Sequence, residues 1–287
     1  MQSANETRRP HWLKVDLTGK GAFYSVRQLV DVQNLHTVCQ SARCPNIGEC
    51  WAKKTATFMI LGDSCSRNCT FCAISHGALE AVDPDEPRRV AEAVKSLDLR
   101  YAVVTSVTRD DLPDGGAGAF ARTIAAIRTA NPGCRIEVLI PDFAGSKEAL
   151  MTLLAQNPDV LNHNLETVEE LYPRVRPQAN YHRSLDLLDS ARRHGATTKS
   201  GLMLGVGESR DQLIRTLRDL RNIDCQIITL GQYLPPSRHH LPVERFVEPT
   251  EFAELRRLGL EMGFPHVESG PLVRSSYHAE EAADSAN

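Results

Sequence analysis

The chain has 287 residues, of which 41% are hydrophobic and 24% are charged, and its formal net charge is −3. This size and composition predict a globular protein with a sizeable core, and the small net charge argues against broad electrostatic binding of nucleic acid. No apolar run approaches the roughly 20 residues of a membrane helix, and the N-terminus lacks the apolar region of a secretory signal. We therefore expect a cytoplasmic protein without a membrane partner.

The N-terminal segment, residues 1–48, has no clear hydrophobic periodicity, and we expect an extended arm there. Its basic residues Arg8, Arg9 and Lys14 are candidates for contact with an acidic partner, although solvated surface charge is the stronger explanation for them. The first of two cysteine trios begins in this segment. It has the spacing C-x4-C-x5-C and consists of Cys39, Cys44 and Cys50.

From residue 57 onwards, short apolar runs alternate with amphipathic helical patterns. The apolar runs predict buried strands, and the amphipathic patterns predict helices that pack on a sheet. Six strand–helix units in succession predict parallel strands, because such crossover connections are right-handed and join parallel neighbours. The predicted strands are Thr57–Leu61, Tyr101–Thr105, Arg135–Ile140, Asp159–His163, Lys199–Gly205 and Gln226–Leu230.

Six units are fewer than the eight that close a TIM barrel, so the pattern predicts either an open partial barrel or a doubly wound open sheet. The order of the strands would distinguish the two, and the sequence does not reveal it. In both architectures the functional groups gather at the carboxyl ends of the strands.

The second cysteine trio follows the first predicted strand, at its carboxyl end. It has the spacing C-x3-C-x2-C and consists of Cys65, Cys69 and Cys72. Structural zinc sites and most iron–sulfur clusters use four protein ligands, so a trio leaves one coordination position open. Crowding of six cysteines into one region of a large chain indicates metal binding more than disulfides. Three reduced thiols in a turn, or a zinc site completed from elsewhere, are the alternatives.

The C-x3-C-x2-C spacing resembles the signature of the radical S-adenosylmethionine (SAM) enzymes. Taken with the first trio and the motif Arg274–His278, the chain resembles the lipoyl synthase family from about Trp12 to His278. The resemblance implies an α/β fold, a partial (β/α)6 TIM-like barrel. It also implies three regions: an N-terminal extension, residues 1–54, the barrel, residues 55–250, and a C-terminal extension, residues 251–287.

The resemblance further implies two [4Fe–4S] clusters and SAM as cofactors. One cluster, held by Cys65, Cys69 and Cys72, would reduce SAM to generate a 5′-deoxyadenosyl radical that abstracts hydrogen from a substrate. An auxiliary cluster would supply sulfur, and its implied ligands are Cys39, Cys44, Cys50 and Ser276. The implied substrate is an octanoyl group on a lysine of a 2-oxoacid dehydrogenase lipoyl domain or the glycine-cleavage H protein. An electron donor and an iron–sulfur cluster supplier are further implied partners.

Contacts with SAM are carried over from the family to polar positions at the strand ends. Gly115 and Gly116, after the second strand, would lie at the methionine end of SAM, although an ordinary turn also explains them. Asn164 and Glu166, after the fourth strand, would bind ribose hydroxyls, unless Glu166 only stabilises a helix N-terminus. Arg176 could pair with the carboxylate of SAM, or be a surface arginine.

Three other functions remain open from the sequence. A radical SAM enzyme similar to biotin synthase would insert sulfur into a free small molecule. A two-cluster electron-transfer protein would explain six cysteines, but a ferredoxin usually supplies four thiolates per cluster and has no use for six strand–helix units. A zinc-binding structural module is the third.

Overall fold

A computed structural model describes residues 9–13, 20–33, 35–41, 44–53 and 55–286. Two of the three basic residues predicted to contact a partner, Arg8 and Lys14, lie outside these ranges. The third, Arg9, is exposed. No helix in the described ranges is both long enough and apolar enough to cross a membrane.

The described residues form eight strands and eleven α-helices. The strands are β1 (His36–Thr37), β2 (Thr55–Ile60), β3 (Tyr101–Ser106), β4 (Arg135–Leu139), β5 (Val160–Asn162), β6 (Thr198–Leu204), β7 (Ile227–Gln232) and β8 (His266–Gly270). The helices are α1 (Lys20–Val32), α2 (Val38–Ser41), α3 (Ile47–Ala52), α4 (Glu86–Ser96), α5 (Ala117–Ala130), α6 (Lys147–Leu154), α7 (Tyr172–Val175), α8 (Tyr181–Arg193), α9 (Arg210–Asn222), α10 (Pro249–Glu261) and α11 (Ala279–Ala286).

All eight strands belong to one sheet, in which they follow one another in chain order from β1 to β8. Strand β1 is antiparallel to β2, and β2 to β8 are parallel. A doubly wound sheet would reverse the strand order part-way, so that alternative is wrong and the open TIM-like partial barrel is confirmed. The six predicted strands correspond to β2 to β7. The predicted division into three regions stays a prediction.

Several elements at the two ends of the chain were not predicted. The N-terminal segment is not simply an extended arm, because it contains α1, β1 and α2. Helix α1 buries Val30 but leaves the large hydrophobic residues Tyr24 and Val32 exposed. Its hydrophobic residues therefore do not all lie on one buried face, so the helical period is less clear in its sequence. Strand β8 has the polar sequence HVESG and buries only Val267, so no apolar run marks it.

A charged layer lies inside the barrel. Lys199 Nζ lies 3.0 Å from Glu137 Oε1, and both side chains are fully buried. The Tyr101 hydroxyl donates a hydrogen bond to Glu137 over 3.0 Å, and the Asn162 amide donates another over 2.9 Å. The four residues belong to β3, β4, β5 and β6, so this network links four neighbouring strands.

Helix α11 covers the amino ends of the strands. Its alanines Ala279, Ala282 and Ala283 pack in one buried cluster with the first residues of three strands, Tyr101, Val160 and Ile227. The helix therefore closes the end of the barrel opposite the carboxyl ends of the strands.

The buried pair leads to a stability prediction. Lys199→Met leaves the Glu137 carboxylate buried without its cation, so we expect the free energy of unfolding to fall by about 3–5 kcal/mol. Arg257→Met is the matched control, because it breaks an exposed pair with Glu261 and should cost less than about 1 kcal/mol. Anaerobic urea unfolding measures both. A Lys199→Met protein as stable as the control would contradict the assignment.

Candidate functional site

The loop that carries Cys65, Cys69 and Cys72 starts from the carboxyl end of β2. Its backbone is tied to three other segments: the Cys65 N–H donates to Ser75 O (3.0 Å), the Ser66 N–H to Thr108 O (2.9 Å) and the Thr70 N–H to Val175 O (3.0 Å). All three cysteines are free and partly exposed. The loop is thus held in place while its thiols remain accessible.

A buried network of charged side chains holds this loop against the loops that follow β3 and β4. Arg67 is 5% exposed, and its guanidinium donates to Asp110 over 2.7 Å and to Asp142 over 2.6 Å. Arg183 on α8 donates to the same Asp142 over 2.8 Å. Although burial alone would raise the pKa of Asp142, the Arg67 guanidinium lowers it to about 2. The network joins the loops after β2, β3 and β4. It was not predicted, although an arginine between two candidate ligand cysteines was a visible signal.

Asn164, Glu166 and Arg176 come together at the carboxyl end of β5. Arg176 is buried, and its Nη1 donates to Asn164 O over 2.7 Å and to Leu165 O over 3.1 Å. Its guanidinium also lies 5.3 Å from the centroid of the Tyr172 ring. The Asn164 amide donates to Glu166 Oε1 over 3.1 Å. The alternative of a surface arginine is therefore wrong for Arg176.

This cluster faces the cysteine loop and has unused polar atoms. In the part of the chain that the structure describes, Asn164 Oδ1 and Arg176 Nε are buried without a hydrogen-bond partner. Burial raises the pKa of the Cys69 thiol, and the charge of Arg176 offsets part of that effect. Glu166 has a left-handed backbone with φ +66°, which costs energy for a residue other than glycine. Burial raises the pKa of its carboxyl group. Such features are typical of a polar ligand site.

Gly115 and Gly116 precede α5, and packing explains both. A Cβ on Gly116 would lie 2.4 Å from Leu61 Cδ1, and one on Gly115 would lie 3.1 Å from Phe143 Cδ1. Their φ values of +58° and +92° also favour glycine. Gly115 lines an open cavity of about 500 Å³ together with Asp110 and Asp111. Among the described residues, no hydrogen bond joins the glycine pair to the Asn164 cluster.

The first cysteine trio lies on and between two short helices next to β2. Cys39 is in α2, Cys50 is in α3, and the Cys44 N–H donates to Cys39 O over 3.0 Å. Burial, together with the neighbouring Cys44 thiol, raises the pKa of Cys39 to about 11 and that of Cys50 to about 12. The three thiols are therefore close enough to influence one another. Binding iron would require them to lose their protons.

The C-terminal segment 271–278 lies against this trio. Asn46 Nδ2 donates to Leu272 O over 2.7 Å, and the Tyr277 hydroxyl donates to Glu49 Oε2 over 3.1 Å. A Cβ on Gly231 would lie only 2.1 Å from Val273 O, so the close approach of the segment to β7 requires a glycine. Ser276 is partly buried in this segment. The structure thus brings the serine-bearing segment to the trio.

Arg274 carries an unbalanced charge at this place. Its Nη1 donates to Val273 O over 2.7 Å and to Gln232 O over 3.3 Å. Burial lowers its pKa, the Cys44 thiol is the one titratable group that opposes this shift, and no carboxylate among the described residues pairs with the guanidinium. Because a partly buried cation is costly without an anion, an anionic group held by the cysteines would fit here.

The donor sets of both trios are compatible with [4Fe–4S] clusters. No three His, Cys, Asp or Glu side chains in the described ranges converge on a position for a single metal ion. A cluster has no such requirement, because each thiolate binds a different iron. The first trio has the serine-bearing segment 271–278 beside it, and the second trio has the Asn164 cluster beside it.

Comparison with known proteins gives consistent results. Residues 59–220 match the family described as the Radical SAM superfamily. The chain is 55% identical over 280 residues to a lipoyl synthase of Rubrobacter xylanophilus, covering 97% of this chain and 87% of the relative. It is also 55% identical over 278 residues to a lipoyl synthase of Roseiflexus sp., covering 96% and 92%. Its fold is similar to that of methylornithine synthase, with a TM-score of 0.54, 15% identity and coverage of 87% and 85%.

The match to the superfamily spans more than half of the chain, and the relatives match nearly all of it. Membership of the superfamily implies SAM and a [4Fe–4S] cluster as cofactors, which agrees with the donor set of the second trio. This chain therefore belongs to the radical SAM superfamily and, within it, to the lipoyl synthase family.

Proposed function

We propose that the chain inserts two sulfur atoms, at C6 and C8, into an octanoyl group bound to a lysine of a carrier protein, and so forms lipoyl-lysine. The observation that carries this proposal is the presence of two separate cysteine trios, each with an incomplete set of ligands, in a chain 55% identical to lipoyl synthases. The target C–H bonds are not acidic, so acid–base catalysis by side chains could not activate them. A radical cofactor meets that need.

The two trios have different proposed roles. When bound, the cluster of Cys65, Cys69 and Cys72 supplies an electron for cleavage of SAM, and the auxiliary cluster of Cys39, Cys44, Cys50 and Ser276 supplies the sulfur. The chain itself positions these groups. The Arg67 network holds the second trio against the loops after β3 and β4. A serine oxygen is a harder ligand than a thiolate, which suits a position that must open when the auxiliary cluster gives up sulfur.

The polar cluster at the end of β5 is proposed to bind SAM beside the second trio. The Glu166 carboxylate can accept hydrogen bonds from ribose hydroxyls, and Asn164 Oδ1 is an unused acceptor next to it. Arg176 has a free Nε donor and a charge that suits the carboxylate of SAM. We also propose that the methionine end of SAM lies near Gly115 and Gly116, of which Gly115 lines an open cavity.

The proposed partners follow from this reaction. The octanoylated carriers are lipoyl domains of 2-oxoacid dehydrogenases and the glycine-cleavage H protein. An electron donor must reduce the second trio's cluster, and an iron–sulfur supplier must rebuild the auxiliary cluster. Exposed Arg9 supports contact with an acidic carrier. Six free thiols need a reducing compartment, which supports a cytoplasmic location.

The two trios can be tested separately. Cys69→Ala should abolish SAM cleavage, because it removes a ligand of the cluster that reduces SAM. Cys44→Ala should leave SAM cleavage measurable but prevent sulfur insertion. The measurements are 5′-deoxyadenosine formation and mass spectrometry of an octanoylated carrier, which gains two sulfurs and loses two hydrogens in the wild-type reaction.

The buried Cys225→Ala is the control for this experiment, because its thiol lies away from both trios and only donates to backbone carbonyls. It should retain both activities. Equal loss of both activities in Cys44→Ala and Cys69→Ala would contradict separate roles. Sulfur insertion into a free small molecule, without modification of the carrier, would favour the enzyme class similar to biotin synthase.

The proposed SAM contact of Glu166 gives a second prediction. Glu166→Ala removes a charged acceptor worth about 1.5–3 kcal/mol, so SAM should bind about 10- to 150-fold more weakly. Glu169→Ala is the control, since its carboxylate is exposed and pairs with His182 at 3.0 Å. Equilibrium dialysis of anaerobic protein measures the affinity, and iron content reports whether the clusters remain. Unchanged SAM affinity in Glu166→Ala would remove this residue from the site.

A further inference from the structure

Glu49 lies next to Cys50 on α3 and joins that helix to the C-terminal segment. Its carboxylate accepts a hydrogen bond from the Tyr277 hydroxyl over 3.1 Å, and Nε2 of His278 lies 3.4 Å from it. Lys53, one turn further along, lies 3.1 Å from the same carboxylate and 3.3 Å from His278 Nε2. We call these four residues, Glu49, Lys53, Tyr277 and His278, the Glu49 clasp.

The clasp is more specific than an ordinary surface ion pair. Tyr277 and His278 stack with ring centroids 3.9 Å apart, and His278 has a left-handed backbone with φ +50°. A strained backbone of this kind persists only where surrounding contacts hold it. Three side chains converge on the Glu49 carboxylate, and two of them, Tyr277 and His278, are more than 220 positions away in the sequence. The clasp therefore fixes two distant segments in one arrangement.

A second contact holds the same segment on the other side of Ser276. Asn46, which precedes α3, donates from Nδ2 to Leu272 O over 2.7 Å. Ser276 thus lies between two points of attachment: Leu272 is bound by Asn46, at the start of the helix that carries Cys50, and Tyr277 is bound by Glu49 within that helix. Among the described residues, no hydrogen bond of Ser276 itself fixes its position.

We propose that Glu49 is a positioning residue that holds Ser276 at the first cysteine trio and so determines how firmly the fourth ligand of the auxiliary cluster is retained. This inference rests on the proposed function, because it concerns the cluster assigned to Cys39, Cys44, Cys50 and Ser276. Glu49 has no proposed contact with substrate or SAM. It acts through Tyr277 on the segment that bears the serine.

A cavity beside the clasp makes the proposal measurable. It has a volume of about 480 Å³ and opens at the surface, and its walls include Cys50 as well as Glu49, Lys53 and His278. A small iron chelator can therefore approach the trio from this side. If the clasp is loosened, Ser276 leaves more often, and the chelator should remove iron from the auxiliary cluster faster.

The experiment follows iron loss to excess chelator in the anaerobic full-length protein. The kinetic phase that is missing in Cys44→Ala belongs to the auxiliary cluster. Tyr277→Phe should speed this phase about tenfold, because it removes one hydrogen bond to a carboxylate at a partly exposed site. Glu49→Ala should speed it at least as much. Glu49→Gln keeps an acceptor for Tyr277 and should have a smaller effect than Glu49→Ala.

Two matched controls test whether the effect is local. Tyr181→Phe also removes a hydroxyl that donates to a carboxylate, that of Asp219 at 2.8 Å, and Glu261→Gln also changes a helical i,i+4 ion pair. Both should release iron at the wild-type rate. The phase of the second trio's cluster should be the same in all variants.

The outcomes separate this inference from the function on which it rests. Wild-type iron release in Tyr277→Phe and Glu49→Ala would overturn the clasp proposal and leave the proposed function intact. Acceleration of both phases together would also overturn it, because that result reports general destabilisation. A wild-type protein that holds only about four irons per chain would contradict the two-cluster function itself.

Discussion

Each cysteine trio provides three thiolates where an iron–sulfur cluster needs four ligands, and the rest of the structure depends on how that shortage is met. Beside Cys69 the chain offers a polar cluster with unused atoms, Asn164 Oδ1 and Arg176 Nε, which suits a bound small molecule. Beside Cys44 and Cys50 it offers a segment of its own, residues 271–278. The missing fourth ligand is thus matched by a site for a small molecule at the second trio and by a segment of the chain at the first trio.

Because the barrel is open, the C-terminal segment can reach the first trio. Strand β1 forms one edge of the sheet and β8 forms the other, and the first trio lies beside the β1–β2 edge. After β8, the C-terminal segment 271–278 packs closely against Gly231 of β7 and contacts Asn46 at the start of α3. The segment therefore extends from the β8 edge of the sheet toward the β1–β2 edge. A closed eight-stranded barrel would leave no such seam. Helix α11 then continues to the amino ends of the strands and covers them.

The sequence allowed the repeating part of the fold to be predicted because apolar strands and amphipathic helices have distinct periods. It also identified both trios, because ligand spacing is a local property. The Glu137–Lys199 pair, the Arg67–Asp142 network and the Glu49 clasp could not be predicted, since each joins residues far apart in the chain. The polar strand β8 was missed for a related reason: its pairing with β7, and not its own sequence, makes it a strand. Ser276 was assigned only through family resemblance, and its role as a ligand remains a proposal.

In the proposed reaction, the first trio holds the group that supplies sulfur to the product. To test this, the clusters are rebuilt with a heavy sulfur isotope, and the protein is allowed one turnover in unlabelled medium. The octanoyl carrier is then analysed by mass spectrometry. We expect both inserted sulfur atoms to carry the label. Product whose sulfur is unlabelled, or labelled product from a Cys44→Ala protein, would contradict it.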